Sequence, residues 1–124
     1  MLNFIAVSGR LTKDPELRPT QNGTSVATFT VAVDRDKKNA DGTRDADFIN
    51  CVAWRQAGEF VSRYFFKGSP IIVTGRLSQR SYKANDGTNR TVYEIITNGV
   101  YFAGGKPDKA TGFTDLDDDT ELPY

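Results

Sequence analysis

The sequence predicts an all-β domain with one short helix, built as a five-stranded barrel and followed by an acidic tail. Apolar residues recur at every second position in several stretches, as in half-buried strands, and one stretch has the 3.6-residue period of a helix. Clusters of Gly, Pro, Asn and Asp separate these stretches. About 100 residues can bury a core without disulfides or metals. The 124 residues therefore predict one domain, residues 1–104, and an extension, residues 105–124.

The first two predicted strands are "NFIAVSGRL" and "SVATFTVAVDR". One face of the first strand holds Ile5, Val7, Gly9 and Leu11. One face of the second strand holds Ala27, Phe29, Val31 and Val33. The intervening "KDPELRPTQNG" carries two prolines and Asn-Gly, and the later "DKKNADGTRDA" carries Asp-Gly, so both segments predict loops.

A third strand, "DFINCVAW", leads directly into the predicted helix, "RQAGEFVSRYFFKGS". The apolar face of this helix holds Ala57, Phe60, Val61 and Tyr64, and its predicted stop is Lys67-Gly68. The fourth strand, "IIVTGRLSQRSY", and the fifth, "TVYEIIT" continued by "VYF", flank a hairpin loop around Asp86-Gly87. Three strands, a helix and two strands are the element order of the OB-fold, a five-stranded Greek-key barrel.

Composition excludes several classes of site. The chain has one Cys and no His, so it forms no intrachain disulfide and lacks the usual ligand set of a zinc site. It has no phosphate-binding Gly-rich motif, and its carboxylate cluster lies in the tail, so we predict no enzyme, no cofactor and no metal. The lone cysteine and the short apolar run near Met1 favour a cytoplasmic protein.

The zero net charge of the sequence divides into a basic body and an acidic tail. From residue 107 onward there are six acids and one base, so this part carries −5 and residues 1–106 carry +5. Such asymmetry is typical of a nucleic-acid partner for the basic part and a different partner for the acidic part.

The third strand can present either of two faces to the interior. Ile49, Cys51 and Ala53 form a compact apolar set that suits a small barrel, which leaves Phe48 and Trp54 facing outward. In the alternative, Phe48 and Trp54 form the core and the smaller residues lie under the helix. The first arrangement leaves large aromatic side chains that need a partner.

The fourth strand separates apolar from basic residues. Its inward set is Ile71, Val73, Gly75 and Leu77. Its outward set is Arg76, Arg80 and Tyr82. Flat rings stack on any base and guanidinium groups pair with phosphates, so this surface, together with the outward aromatics of the third strand, predicts a platform for single-stranded nucleic acid. The alternative is an ordinary solvated strand face.

Two further sets of residues are predicted to make contacts. Arg35 and Lys37, at the second loop, are predicted to bind phosphates, and the alternative is an ordinary charged loop. The outward face of the first strand leaves room for a second copy of the chain to approach. We therefore predict a subunit contact through Phe4, Ala6 and Ser8, and the alternative is an ordinary exposed strand face.

The tail combines a linker with an acidic tip. Residues 104–114 contain too few apolar residues to add to a core, and so predict a linker. The tip joins acids to an apolar Leu-Pro-Tyr end, which predicts binding to partner proteins rather than a tail that serves solubility alone. The predicted tip residues are Asp117, Asp118, Asp119, Leu122, Pro123 and Tyr124.

Several long segments resemble the bacterial single-stranded DNA-binding protein family, which includes versions carried by phages and plasmids. These segments are "SGRLTKDPELR", "NGTSVATFTVAVDR", "DFINCVAWRQAGEFVSRYFFKGSPIIVTGRLSQRSY" and the acidic tip. The resemblance covers about residues 1–104 and then the last eight residues. It implies an OB-fold homotetramer that coats single-stranded DNA in replication, recombination and repair, and that recruits partner proteins through the tip.

The resemblance also assigns individual residues. The family's stacking positions fall on Phe48, Trp54 and Tyr82, which the face patterns also select. A further stacking aromatic of the family falls on Lys37 here, which implies phosphate pairing at that position.

The tip departs from the family pattern in two places. Thr120-Glu121 separates the aspartates from Leu122, and Tyr124 stands where the family has Phe. The linker is also shorter than the usual one of the family. These departures bear on which proteins the tip binds.

Two other functions stay open on the residues alone. A cold-shock-like binder of single-stranded RNA would use the same platform and would differ by contacts to the 2′-hydroxyl. A pure protein-interaction module would cover the outward aromatics with protein and would not bind oligo-dT.

Overall fold

The computed structural model describes residues 1–104, which form six strands and one helix. In chain order these elements are β1 Ile5–Leu11, β2 Glu16–Pro19, β3 Ser25–Lys38, β4 Arg44–Trp54, α1 Arg55–Tyr64, β5 Pro70–Lys83 and β6 Asn89–Phe102. Five of the strands close into a ring in the order β1, β5, β6, β4, β3 and back to β1. This ring confirms the predicted all-β barrel with one helix.

The pairing within the ring is antiparallel except between β4 and β6. These two strands run parallel and pair over three positions only, from Cys51 opposite Ile95 to Ala53 opposite Thr97. On the amino-terminal side of this short ladder the two strands separate. The β3–β4 and β5–β6 hairpins extend beyond the barrel on either side of the resulting gap.

Strand β2 lies in a segment that the sequence predicts to be a loop. Glu16–Pro19 pairs antiparallel with β3, from Glu16 opposite Thr28 to Pro19 opposite Ser25, and all four of its residues are exposed. A proline is tolerated there because β2 is an edge strand. The prediction is wrong because β2 is held by backbone pairing and carries no apolar alternation.

The barrel interior is filled largely by the predicted inward faces. The buried apolar residues are Leu11, Ala27, Phe29, Val31, Cys51, Ala53, Val61, Phe65, Ile71, Val73 and Ile95. Leu77 is an exception, since its side chain is 42% exposed. Gly75 is the last buried residue of β5. Beyond Gly75 the β5–β6 hairpin extends out of the barrel, so neither face of this part of β5 packs against the core.

Helix α1 covers one end of the barrel, and its last turn departs from the prediction. Val61 is buried, but Tyr64 is 50% exposed. The helix ends at Tyr64, and the extended backbone of Phe65 places that ring in the core, 4.9 Å from the ring of Phe102 and stacked on it. The predicted stop at Lys67-Gly68 lies three residues too late. Gly68 instead serves the following turn, with a positive φ of 87°.

Candidate nucleic-acid interface

Phe48 and Trp54 lie on the outer surface of β4. Their side chains are 66% and 45% exposed, whereas Cys51 and Ala53 between them are buried. The alternative in which Phe48 and Trp54 form the core is therefore wrong. Two large rings on one outward face of a strand are candidates for contact with a ligand.

The strand register places Arg76 on the same side of the sheet as these rings. Val52 lies between Phe48 and Trp54 in the alternation of β4, and it pairs with Ile96 of β6. Ile96 in turn pairs with Arg76 of β5. Paired residues share a face of a sheet, so Arg76 projects on the side of Phe48 and Trp54.

The same alternation continues along the β5–β6 hairpin. Arg80 pairs with Val92, and Tyr82 pairs with Arg90 near the hairpin tip. Arg80 and Tyr82 are exposed. We call the surface formed by Phe48, Trp54, Arg76, Arg80 and Tyr82 the platform face.

A groove crosses the platform face where β4 and β6 separate. It has a volume of about 260 Å³, and its floor contains Cys51 and Val52. Polar and charged side chains from five segments line it, among them Lys13, Thr30, Asn50, Arg80 and Glu94. The groove follows from the short parallel ladder, since a longer ladder would close it.

Glu94 is the functional candidate that the sequence reasoning missed. Its side chain is only 13% exposed, and its carboxylate accepts a hydrogen bond of 3.4 Å from Nε of Arg80. The signal in the sequence is an acid between two apolar residues of a barrel strand, in "YEI". We call the groove lined by Lys13, Thr30, Asn50, Arg80 and Glu94 the Glu94 groove.

Cys51 lies beneath the Glu94 groove, and its thiol has low reactivity. Burial raises the pKa of its thiol from 9.0 to about 12, and the negative charge of Glu94 adds to the shift. The thiol is therefore protonated near neutral pH, and its thiolate, the reactive form, is scarce.

Arg35 is not brought together with the platform face. Its Nε and Nη2 donate to one carboxylate oxygen of Asp47 at 3.2 and 2.8 Å, which raises the pKa of Arg35 and lowers that of Asp47. Asp47 pairs with Val33, so it lies on the side of the sheet opposite to its neighbour Phe48. Lys37 is exposed within an irregular part of the β3–β4 hairpin. Phosphate binding by Arg35 and Lys37 stays a prediction.

The outward face of β1 is exposed, as the sequence predicts. Phe4 is 63% exposed, and Ala6 and Ser8 are exposed as well. Ser8 pairs with Ile72 of β5, and Ile72 pairs with Tyr101 of β6, whose ring is 53% exposed. A strip of apolar surface therefore crosses β1, β5 and β6. The residue pattern within any one of these β-strands does not reveal it.

The predicted tip, a cluster of metal-binding side chains and a membrane-spanning helix are all absent from the residues that the structure describes. The tip residues predicted to bind partners, 117–119 and 122–124, lie outside the described residues. Within residues 1–104, no group of three or more His, Cys, Asp or Glu side chains is placed to hold a metal ion. No helix in that range is both long enough and apolar enough to cross a membrane.

Comparison with known proteins gives a consistent result. A model of the single-strand binding protein family matches residues 2–103. The "Single-stranded DNA-binding protein 3" of Listeria innocua is 46% identical over 124 residues, which are 100% of this chain and 78% of that protein. The "Single-stranded DNA-binding protein" of Halalkalibacterium halodurans is 46% identical over 94% of this chain and 70% of its own length. Its namesake in Bacillus cereus is 51% identical over 82% of this chain and 60% of its own length.

Proposed function

Because the chain belongs to the single-strand binding protein family, we propose that it coats single-stranded DNA without sequence specificity and catalyses no reaction. We place this activity in the cytoplasm, during replication, recombination and repair. The observation that carries the proposal is the platform face, where three exposed aromatic rings lie with two arginines on one side of one sheet. The names of the relatives favour DNA over RNA as the nucleic acid that is bound.

The platform face suits unpaired strands for a physical reason. Every base has a flat face that stacks on an aromatic ring, so stacking on Phe48, Trp54 and Tyr82 tolerates any sequence. A duplex hides those faces between neighbouring base pairs. Arg76 and Arg80 supply positive charge for the backbone, which makes binding dependent on salt. The Arg80–Glu94 pair contains an arginine that is 61% exposed, so a phosphate can compete for that guanidinium.

The experiment uses Trp54, the only tryptophan of the sequence, as the reporter. We expect oligo-dT to quench its fluorescence, a duplex of the same length to have little effect, and higher salt to weaken binding by about 0.7 log unit in affinity per log unit of salt for each phosphate bound. Tighter binding to oligo-U than to oligo-dT would favour the RNA-binding alternative. The absence of any binding to single strands would leave the protein-interaction module.

We further propose that the protein assembles as a homotetramer, which the resemblance to the family implies, and that the face of β1 forms one of its subunit contacts. The support is the apolar strip that contains the exposed Phe4, Ala6 and Tyr101 and the half-buried Ile72, which a second copy would cover. A symmetric pair of identical strand faces is a common form of self-association. Light scattering tests this proposal by measuring the mass in solution, for which four chains are expected.

The tail is proposed to recruit partner proteins and to weaken DNA binding at the same time. The support is the division of charge in the sequence, since residues 107–124 carry −5 and residues 1–106 carry +5, so the acids would compete with phosphates for the basic part. We expect deletion of residues 115–124 to strengthen binding to oligo-dT at low salt, with the gain fading as salt screens the attraction. The same deletion should remove partner proteins from pull-downs.

Tyr124→Ala is the matched variant for the tail deletion, because it removes an apolar ring and no acid. We expect this variant to lose partner proteins while it keeps the affinity of the parent for oligo-dT. A deletion that alters neither the affinity nor the recovered proteins would disprove both roles of the tail.

A further inference from the structure

The Glu94 groove places an acid in the middle of a surface proposed to bind a polyanion. Lys13 and Arg80 also line the groove, so a DNA strand can approach it, but the carboxylate oxygens of Glu94 accept hydrogen bonds and need donors, which a phosphate does not have. The Glu94 side chain is 13% exposed at the wall of the groove. Asn50 and Val52 of the lining lie between Phe48 and Trp54 in the alternation of β4, so a strand stacked on these two rings would pass its bases across the groove. The edge of a base is therefore the chemical group that the groove is placed to meet.

The hydrogen-bonding groups of the groove form a specific pattern. An ionised carboxylate offers two acceptor oxygens side by side. Nε of Arg80 lies 3.4 Å from one of these oxygens, so a guanidinium, with its five N–H donors, stands next to the two acceptors. Two acceptors followed by a donor complement a base edge that presents two donors followed by an acceptor.

Guanine is the base whose edge has that order. Its N2 amino group and N1–H are adjacent donors, and its O6 is the neighbouring acceptor. Single strands leave this edge open, so proteins can read it there. We propose that the Glu94 groove binds the Watson–Crick edge of guanine, with the Glu94 carboxylate accepting from N1–H and N2–H and Arg80 donating to O6. This inference rests on the proposed binding of single-stranded DNA, and it adds a preference at one position to an otherwise sequence-tolerant surface.

Asn50 adds an oriented polar group to the wall of the groove. Its Oδ1 accepts a hydrogen bond of 3.2 Å from the hydroxyl of Thr30, which fixes the side-chain amide on the wall of the groove. The Arg80 guanidinium has more donors than O6 requires, so the same side chain can bind guanine and still face the backbone. Val52 supplies an apolar floor for the ring.

The test compares d(TG)n with d(TI)n of the same length, where hypoxanthine differs from guanine only by the lack of the N2 amino group. We expect the unaltered protein to bind d(TG)n about tenfold more tightly, because one hydrogen bond to a charged group is lost in d(TI)n. Equal affinity of the unaltered protein for the two oligonucleotides would overturn the inference, and this result needs no variant.

Glu94→Gln identifies the carboxylate as the group responsible. An amide presents one acceptor and one donor, so it cannot accept from both donors of guanine, and the preference for d(TG)n should fall to near unity. Glu59→Gln makes the same change of charge on α1, where Glu59 is exposed, and should keep the preference. A preference that survives Glu94→Gln would contradict the inference.

Binding of oligo-dT separates this inference from the proposed function. If the protein binds oligo-dT but does not distinguish d(TG)n from d(TI)n, the groove only holds Arg80 in place and the inference is wrong. If the protein binds none of these strands, both the proposed function and the inference are wrong.

Discussion

Replacing Phe48, Trp54 and Tyr82 together with alanine is expected to weaken binding of oligo-dT by at least a hundredfold. Each stacked ring contributes about 1 to 3 kcal/mol, and the three rings lie far enough apart along two strands for most of these contributions to add. Since all three side chains are at least 43% exposed, their removal should leave the barrel intact. The variant lacks tryptophan, so its binding is followed by the fluorescence anisotropy of a labelled oligonucleotide.

Tyr93→Ala is the control for the triple variant. Tyr93 lies on the same hairpin as Tyr82 and is 56% exposed, but it pairs with Gln79 and projects from the opposite face. We expect Tyr93→Ala to bind oligo-dT like the parent protein. A triple variant that unfolds at the parent's temperature and still binds with the parent's affinity would place the stacking surface elsewhere.

The barrel could be predicted because apolar and polar residues alternate within each of its main strands. A strand with one buried face must alternate, and the inward sets of β1, β3 and β4 are read directly from that alternation. The outward position of Phe48 and Trp54 follows from the same argument, since small residues between them suit a small barrel. The resemblance drawn from the quoted segments is confirmed by the family match over residues 2–103.

Features that depend on where an element ends were predicted less well. The pattern of β5 continues through Leu77, but the barrel ends near Gly75, so the alternation no longer indicates burial. Tyr64 has the correct helical spacing, but the helix stops there, and Phe65 enters the core instead. Local periodicity does not encode the length of the surface against which an element packs.

Features that depend on pairing between distant strands were not predictable from local patterns. Glu94 lines the groove because β4 and β6 pair over only three positions. The residue pattern of neither strand indicates how many positions pair. Arg35 follows Val33 in the alternation of β3, and Val33 pairs with Asp47, so the β3–β4 register places Arg35 beside Asp47 and away from Phe48.

Gly75→Ala is expected to destabilise the barrel strongly, although it adds only one methyl group. Gly75 lies where β5 pairs with both β1 and β6, opposite Ile5 on one side and Thr97 on the other. A Cβ at this position would overlap the carbonyl oxygen of Ile96 and would lie 3.0 Å from Cγ2 of Ile95. The carbonyl is backbone of the neighbouring strand, so it cannot turn away as the end of a flexible side chain can.

The strand can relieve this overlap only by moving apart from β6, which would open the barrel next to the short β4–β6 ladder. Overpacking of a core costs about 1 to 3 kcal/mol when side chains can adjust, and we expect more than about 3 kcal/mol here because backbone must move. Domains of this size have a total stability of about 5 to 15 kcal/mol, so the loss should be plain in urea-induced unfolding. Gly104→Ala is the control, because its Cβ would meet Pro70 at an ordinary 3.6 Å and should leave the unfolding midpoint unchanged. If Gly75→Ala unfolds at the same urea concentration as the parent and Gly104→Ala, then β5 and β6 tolerate a wider separation at this point, and the close approach at Gly75 is not what holds the barrel closed.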